Sequence, residues 1–75
     1  MNVTMSLYDF FAYARRQAGM TQAQLAKKAG VSRNYIGMIE HGGANVTYST
    51  LVKVAGALGY KMTVNLYPKE GDETK

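Results

Sequence analysis

Apolar residues recur at three- and four-residue steps between Leu7 and Leu58, and at every second residue from Met62 to Leu66. The first pattern is punctuated by Ser6, Thr21, Ser32 and Thr47, good helix N-caps whose side-chain oxygens can accept a free first-turn N–H. Each follows an apolar residue (Met5, Met20, Val31, Val46) and has another four positions on (Phe10, Leu25, Ile36, Leu51), the spacing of a hydrophobic staple. Ser6 with Asp9 and Thr21 with Gln24 add the spacing of capping boxes. Glycines at Gly19, Gly30, Gly42 and Gly59 supply left-handed stops. The pattern predicts helices at about Leu7–Ala18, Gln22–Ala29, Arg33–His41 and Tyr48–Leu58.

The helical period assigns faces. Leu7, Phe10, Phe11, Ala14 and Ala18 share one side of the first helix, with Arg15 at its edge and Arg16 pointing away. In the second, Leu25 and Ala29 turn inward, Lys27 outward, and Ala26 is small enough for another helix to approach closely. In the fourth, Leu51, Val54, Ala55 and Leu58 face the core and Lys53 faces out.

The third helix separates most sharply. Ile36, Ile39 and Glu40 fall on one side; Arg33, Asn34, Gly37, Met38 and His41 fall on the other. A carboxylate on the inward side needs a partner. Arg15 is the candidate, and the alternative is that Glu40 turns to solvent. Gly37 inside a helix costs about 1 kcal/mol relative to alanine. Either a neighbour inside the fold crowds it, or the outward face admits a ligand at close range.

After Gly59 the period changes. Lys61–Tyr67 alternates, with Met62, Val64 and Leu66 on one face, and Pro68 ends it. A lone strand leaves its N–H and C=O groups unpaired. Since no second strand is predicted, the expected partner is the same strand of a second copy, across a two-fold axis. The expected organisation is one domain over residues 1–68, carrying the dimer strand at 61–67, and a disordered tail at 69–75.

Composition narrows the chemistry. The 75 residues allow one small core, and 47% of them are apolar, as in globular domains. With no cysteine and a single histidine, His41, neither disulfides nor a metal site is expected. Residues 1–68 hold 7 basic and 2 acidic residues, a balance of +5 within a whole-chain charge of +4. A compact basic body fits a polyanionic partner. No apolar run reaches membrane-span length, and Met1–Phe10 lacks the parts of a signal peptide, so the expected compartment is the cytoplasm. No nucleophile, paired carboxylate or phosphate loop is arranged for catalysis, so no enzyme and no cofactor is expected.

The outward residues of the third helix suit a DNA groove. Arg33 can donate twice to guanine, Asn34 can pair with adenine, and Met38 can pack on a thymine methyl. Gln22, in the first turn of the second helix, can bond a phosphate or merely favour helix. Tyr35 can reach a phosphate or complete the core.

The stretch Thr21–Gly42 reads TQ-x-x-LA-x-x-x-G-VS-x-x-x-I-x-x-IE-x-G, and resembles the Cro/CI-type helix-turn-helix domain of phage repressors, the XRE family. The resemblance extends over roughly Leu7–Gly59. It implies a mainly α, lambda-repressor-like four-helix domain, and a dimer that sets the third helix in the major groove of double-stranded DNA with the second across the backbone. Carried over by position, Arg33, Asn34, Gly37 and Met38 stand where family members read bases. Gln22, Ser32 and His41 stand where they hold phosphates, and Arg15 and Glu40 match a buried ion pair. Two departures stand out: the loop after the third helix lacks a basic residue, and a strand replaces the usual fifth helix. With NVTYSTLVK at Asn45–Lys53 and LGYKMTV at Leu58–Val64, the ending resembles HipB-type antitoxins.

Two functional classes follow. One is a dimeric, sequence-specific repressor of bacterial or phage origin, associated with the nucleoid and binding a palindromic operator. The other is a protein-interaction module that neutralises a partner such as a toxin kinase. An antitoxin of the HipB type does both.

Overall fold

Every helix starts on its expected N-cap. The computed structural model describes residues 5–43 and 45–69, with α1 at Leu7–Gln17, α2 at Gln22–Ala29, α3 at Arg33–Glu40 and α4 at Tyr48–Ala57. Ser6, Thr21, Ser32 and Thr47 accept the N–H of Asp9, Gln24, Tyr35 and Thr50 at 3.0, 3.1, 3.1 and 3.3 Å. Each such cap stabilises its helix by about 1 kcal/mol. At α2 the capping box is complete, because the Thr21 N–H also donates to Gln24 Oε1 at 2.8 Å. At α1 only its first half forms: the Asp9 side chain is a methylene shorter than glutamate and does not return the bond. Ala18, His41 and Leu58, expected inside helices, are C-caps.

Two glycines carry the turns. Gly30 sits in the left-handed region (φ 75°, ψ 32°), ends α2 and opens the three-residue turn Gly30–Ser32 into α3. Gly43 has φ 71°, and a Cβ there would run into the Tyr8 ring, so both backbone and space require glycine.

The core draws on all four helices. Phe11, Leu25, Ala26, Ala29, Ile36, Ile39, Leu51, Val54 and Ala55 form one buried cluster. At its centre α2 packs against both α3 and α4, and α1 packs against α3. Ala26 and Ala29 keep α2 thin enough for that. Three of the four expected staple residues, Met20, Val31 and Val46, close on the cluster, whereas Met5 stays exposed.

The inward face of α1 keeps Phe11 and Ala14 of the expected set, at 3% and 4% exposed, but is shifted around the helix. Leu7 is 42% exposed and Ala18 is exposed, whereas Ala12, assigned to no face, is buried. Beside Phe11 and Ala14, the inward side takes in Tyr8, Ala12 and Arg15, so that Tyr8, Phe11, Ala12 and Arg15 stand at i, i+3, i+4 and i+7. The helix is rotated to bring Arg15 inward, for a reason described below.

The segment expected to pair with a second copy stands here without one. Within the single chain, residues 61–67 make no ladder hydrogen bonds. Tyr60 anchors the segment, its N–H on the Ala55 carbonyl at 2.9 Å and its ring edge-on to Phe10 at 5.1 Å. Of the three residues expected on one face, Met62 packs on the core, but Val64 and Leu66 are 58% and 90% exposed. A strand needs a neighbour to bond to, and one chain provides none. The expected tail falls, except for Lys69, outside the described residues.

Candidate nucleic-acid interface

The outward face of α3 is built from behind. Ile36 and Ile39 are each 1% exposed in the core, which fixes the rotation of α3 and turns Arg33, Asn34, Gly37 and Met38 to the opposite side. Those four residues line one open concavity of about 380 Å³, together with Gln22 from the start of α2 and His41 from the end of α3. Arg33 and Asn34 are exposed, and Gly37 and Met38 are half-buried. The Asn34 amide leans on Met38, Nδ2 lying 3.8 Å from the sulfur.

The interior explanation for Gly37 fails. A Cβ built there meets nothing within 4 Å, so no neighbour in the described fold demands a glycine.

Glu40 has the expected partner and a second one. Arg15 donates from Nε to Oε2 at 2.7 Å and from its second terminal nitrogen to Oε1 at 3.2 Å, and its other terminal nitrogen donates to the Met20 carbonyl at 2.8 Å. The side chains are 12% and 6% exposed, which explains the rotation of α1. Gln22 then donates from Nε2 to Glu40 Oε1 at 3.1 Å. Burial works to raise the Glu40 carboxyl, but the hydrogen bonds of Arg15 and Gln22 and the charges of Arg15 and Arg16 outweigh it and hold the group below its ordinary range.

The remaining candidates are placed as follows. Ser32 caps α3 with its oxygen, leaving its O–H free to donate. His41 Nδ1 lies 2.7 Å from the Gly37 carbonyl, which can only accept, so Nδ1 carries a proton. The outer Nε2 of a neutral ring is then an acceptor, and His41 can hold a phosphate only as imidazolium. Tyr35 is half-buried and does not pack on the core cluster. The Gln22–Glu40 bond was not anticipated, because it joins residues 18 apart in sequence across two helices.

A short helix pair with a donor-bearing outer face and a fixed inner one defines a class, the helix-turn-helix DNA-binding regulators. Residues 11–65 match the Helix-turn-helix family. The chain belongs to that family, in its Cro/CI or XRE form, and its layout is that of HipB-type antitoxins. It is 43% identical over 60 residues to the immunity repressor protein of Bacillus phage phi105, which covers 80% of this chain and 39% of that protein. It is 41% identical over 49 residues to the HTH-type transcriptional regulator y4dJ of Sinorhizobium fredii, 65% of this chain and 64% of that protein. The chain therefore spans less than two thirds of either relative. Among solved structures it is similar to that of a HipA-HipB-O2-O3 complex (TM-score 0.72, 30% identity, 91% of this chain and 100% of that one). It is likewise similar to a HipB-O4 20mer complex (TM-score 0.73, 30% identity, 91% and 100%). No helix among the described residues is long and apolar enough to cross a membrane.

Proposed function

We propose that this chain is a sequence-specific repressor that binds a palindromic double-stranded operator as a homodimer, with α3 in the major groove. The observation that carries the reading is the single concavity shared by Arg33, Asn34, Gly37 and Met38. Arg33 reads guanine, Asn34 reads adenine, Met38 packs on a thymine methyl, and Gly37 lets the base edges approach. Gln22, Ser32, Tyr35 and His41 hold phosphates around that footprint. The domain comprises residues 1–68, and the cytoplasm of a bacterial host is its place of action.

Two reading helices need a fixed separation of about one DNA turn, roughly 34 Å. The segment 61–67 supplies it by pairing with its copy. Val64 and Leu66, at 58 and 90% exposed, are the side chains such a ribbon covers. Beside them an apolar groove of about 250 Å³ between α1, α4 and Tyr60–Thr63 leaves Leu7 and Phe10 open to the same partner.

The test is selection of a binding site from random duplexes, followed by Arg33→Ala and Asn34→Ala. Each substitution is expected to lose about 1–3 kcal/mol on the selected site and to relax preference at one position. Affinity of the parent should fall steeply with salt. Variants that bind the selected site as tightly as the parent overturn the base-reading assignment.

A second reading has a specific observation in its favour: the likeness to HipB in its complex with HipA. There the chain is an antitoxin that also captures a toxin kinase. Co-purification with a kinase encoded beside it is the expected result, and a neighbouring kinase that neither binds nor is inhibited removes the reading.

A further inference from the structure

We propose that Glu40 is a positioning residue for a DNA phosphate contact: it holds the Gln22 amide by one N–H and leaves the other to the phosphate. This rests on the DNA-binding reading above.

Three observations carry it. The Gln22 Nε2 group has two hydrogens, and Glu40 Oε1, 3.1 Å away, takes one. Gln22 and His41 are the residues that line both the polar cleft behind α3 and the reading concavity in front of it, so the amide stands at the border between them. The carboxylate itself is fixed from the other side by two bonds from Arg15, which is in turn tied to the Met20 carbonyl. A free glutamine samples several rotamers and must be ordered to bond a phosphate. Here the ordering is already present in the unbound protein. The ion pair therefore serves the interface as well as the fold: Arg15 orients Glu40, and Glu40 orients Gln22.

The experiment is a mutant cycle on binding to a random-sequence duplex of about two helical turns at low salt, since a phosphate contact carries no sequence information. Gln22→Ala is expected to weaken binding about fivefold, the effect of one hydrogen bond. Arg15→Met with Glu40→Leu, which replaces the pair by apolar side chains, is expected to weaken it by the same factor. The triple variant should lose no more than either, and salt slopes should not change, because an amide releases no counterion. Additive losses would overturn the proposal. So would unchanged affinity in the paired variant, or a slope reduced by about 0.9, which would make Arg15 itself the contact.

Should the paired variant not fold, the Gln22 side-chain amide signals of the wild-type protein decide by NMR. One proton should stay hydrogen-bonded in free and bound states while the other shifts on adding DNA, and loss of the Glu40-bonded proton on binding overturns the proposal. A wild-type chain that binds no duplex sinks the DNA-binding reading itself; binding with an additive cycle sinks only this inference.

Discussion

Gly37→Ala should make the protein more stable and a worse DNA binder. Gly37 lies inside α3, where glycine costs about 1 kcal/mol relative to alanine. The added methyl would meet nothing within 4 Å, so no steric cost opposes the gain. For a chain of this size, about 1 kcal/mol raises Tm by roughly 4–8 °C. The same methyl points into the concavity between Asn34 and His41. If base edges or sugar–phosphate close on that surface, the methyl overpacks the contact by at least about 1.4 kcal/mol, a tenfold loss of affinity. Thermal unfolding followed by circular dichroism reads the first effect, and titration of a selected duplex reads the second. A lower Tm would mean crowding that the fold does not display. A higher Tm with unchanged affinity would remove Gly37 from the interface.

Three further outcomes are expected. Glu40→Ala leaves the Arg15 guanidinium, 12% exposed, without its anion, and should cost about 3 kcal/mol of a total on the order of 4–11; Arg15→Met with Glu40→Leu should stay within about 1 kcal/mol of the parent. Urea unfolding measures both, and a loss below about 1 kcal/mol in the single variant contradicts the ion-pair assignment. Because the fold depresses the Glu40 carboxyl, its stabilisation is complete above the unfolded value near 4.3 and drains as pH falls through the lower folded value. Stability should therefore decline more steeply below about pH 4 in the parent than in the paired variant, and parallel declines would refute the linkage. A chain ending at Thr63 keeps the Tyr60 and Met62 contacts but loses Val64–Tyr67, so it should sediment as a helical monomer; a dimer of full affinity takes the segment out of the interface.

The helix boundaries were legible because capping is local. Ser6, Thr21, Ser32 and Thr47 each meet a donor three residues away, and that information lies within one turn. The face of α3 was legible for a similar reason, since Ile36 and Ile39 are both apolar and both buried. The rotation of α1 was not. Hydrophobicity alone centres its face on Leu7, Phe10, Phe11, Ala14 and Ala18, of which Phe11 and Ala14 are buried while Leu7 and Ala18 are exposed. The need of Glu40 for Arg15 tips the helix so that Tyr8, Ala12 and Arg15 join the inward side, which is a tertiary demand. The Gln22 bond to Glu40 was hidden in the same way: a glutamine at a helix start has ordinary propensity reasons to be there, and only the packing of α2 on α3 brings the two groups within 3.1 Å. The strand was legible as a pattern, but one chain holds no edge for it to join.

Both helices of the central motif span 8 residues, too short to persist alone in water. Their geometry therefore comes from what lies behind them, namely Leu25, Ile36 and Ile39 in the core and the Arg15–Glu40–Gln22 chain across three helices. It follows that Arg33 and Asn34, both exposed, and Met38, half-buried but outside the core cluster, carry no packing duty that the fold depends on and are free to change. Substitutions there should move sequence preference with little effect on stability. Substitutions on the inner side of the same helix should do the reverse, except at Glu40, where the support for the fold and the aim of a phosphate contact meet in one carboxylate.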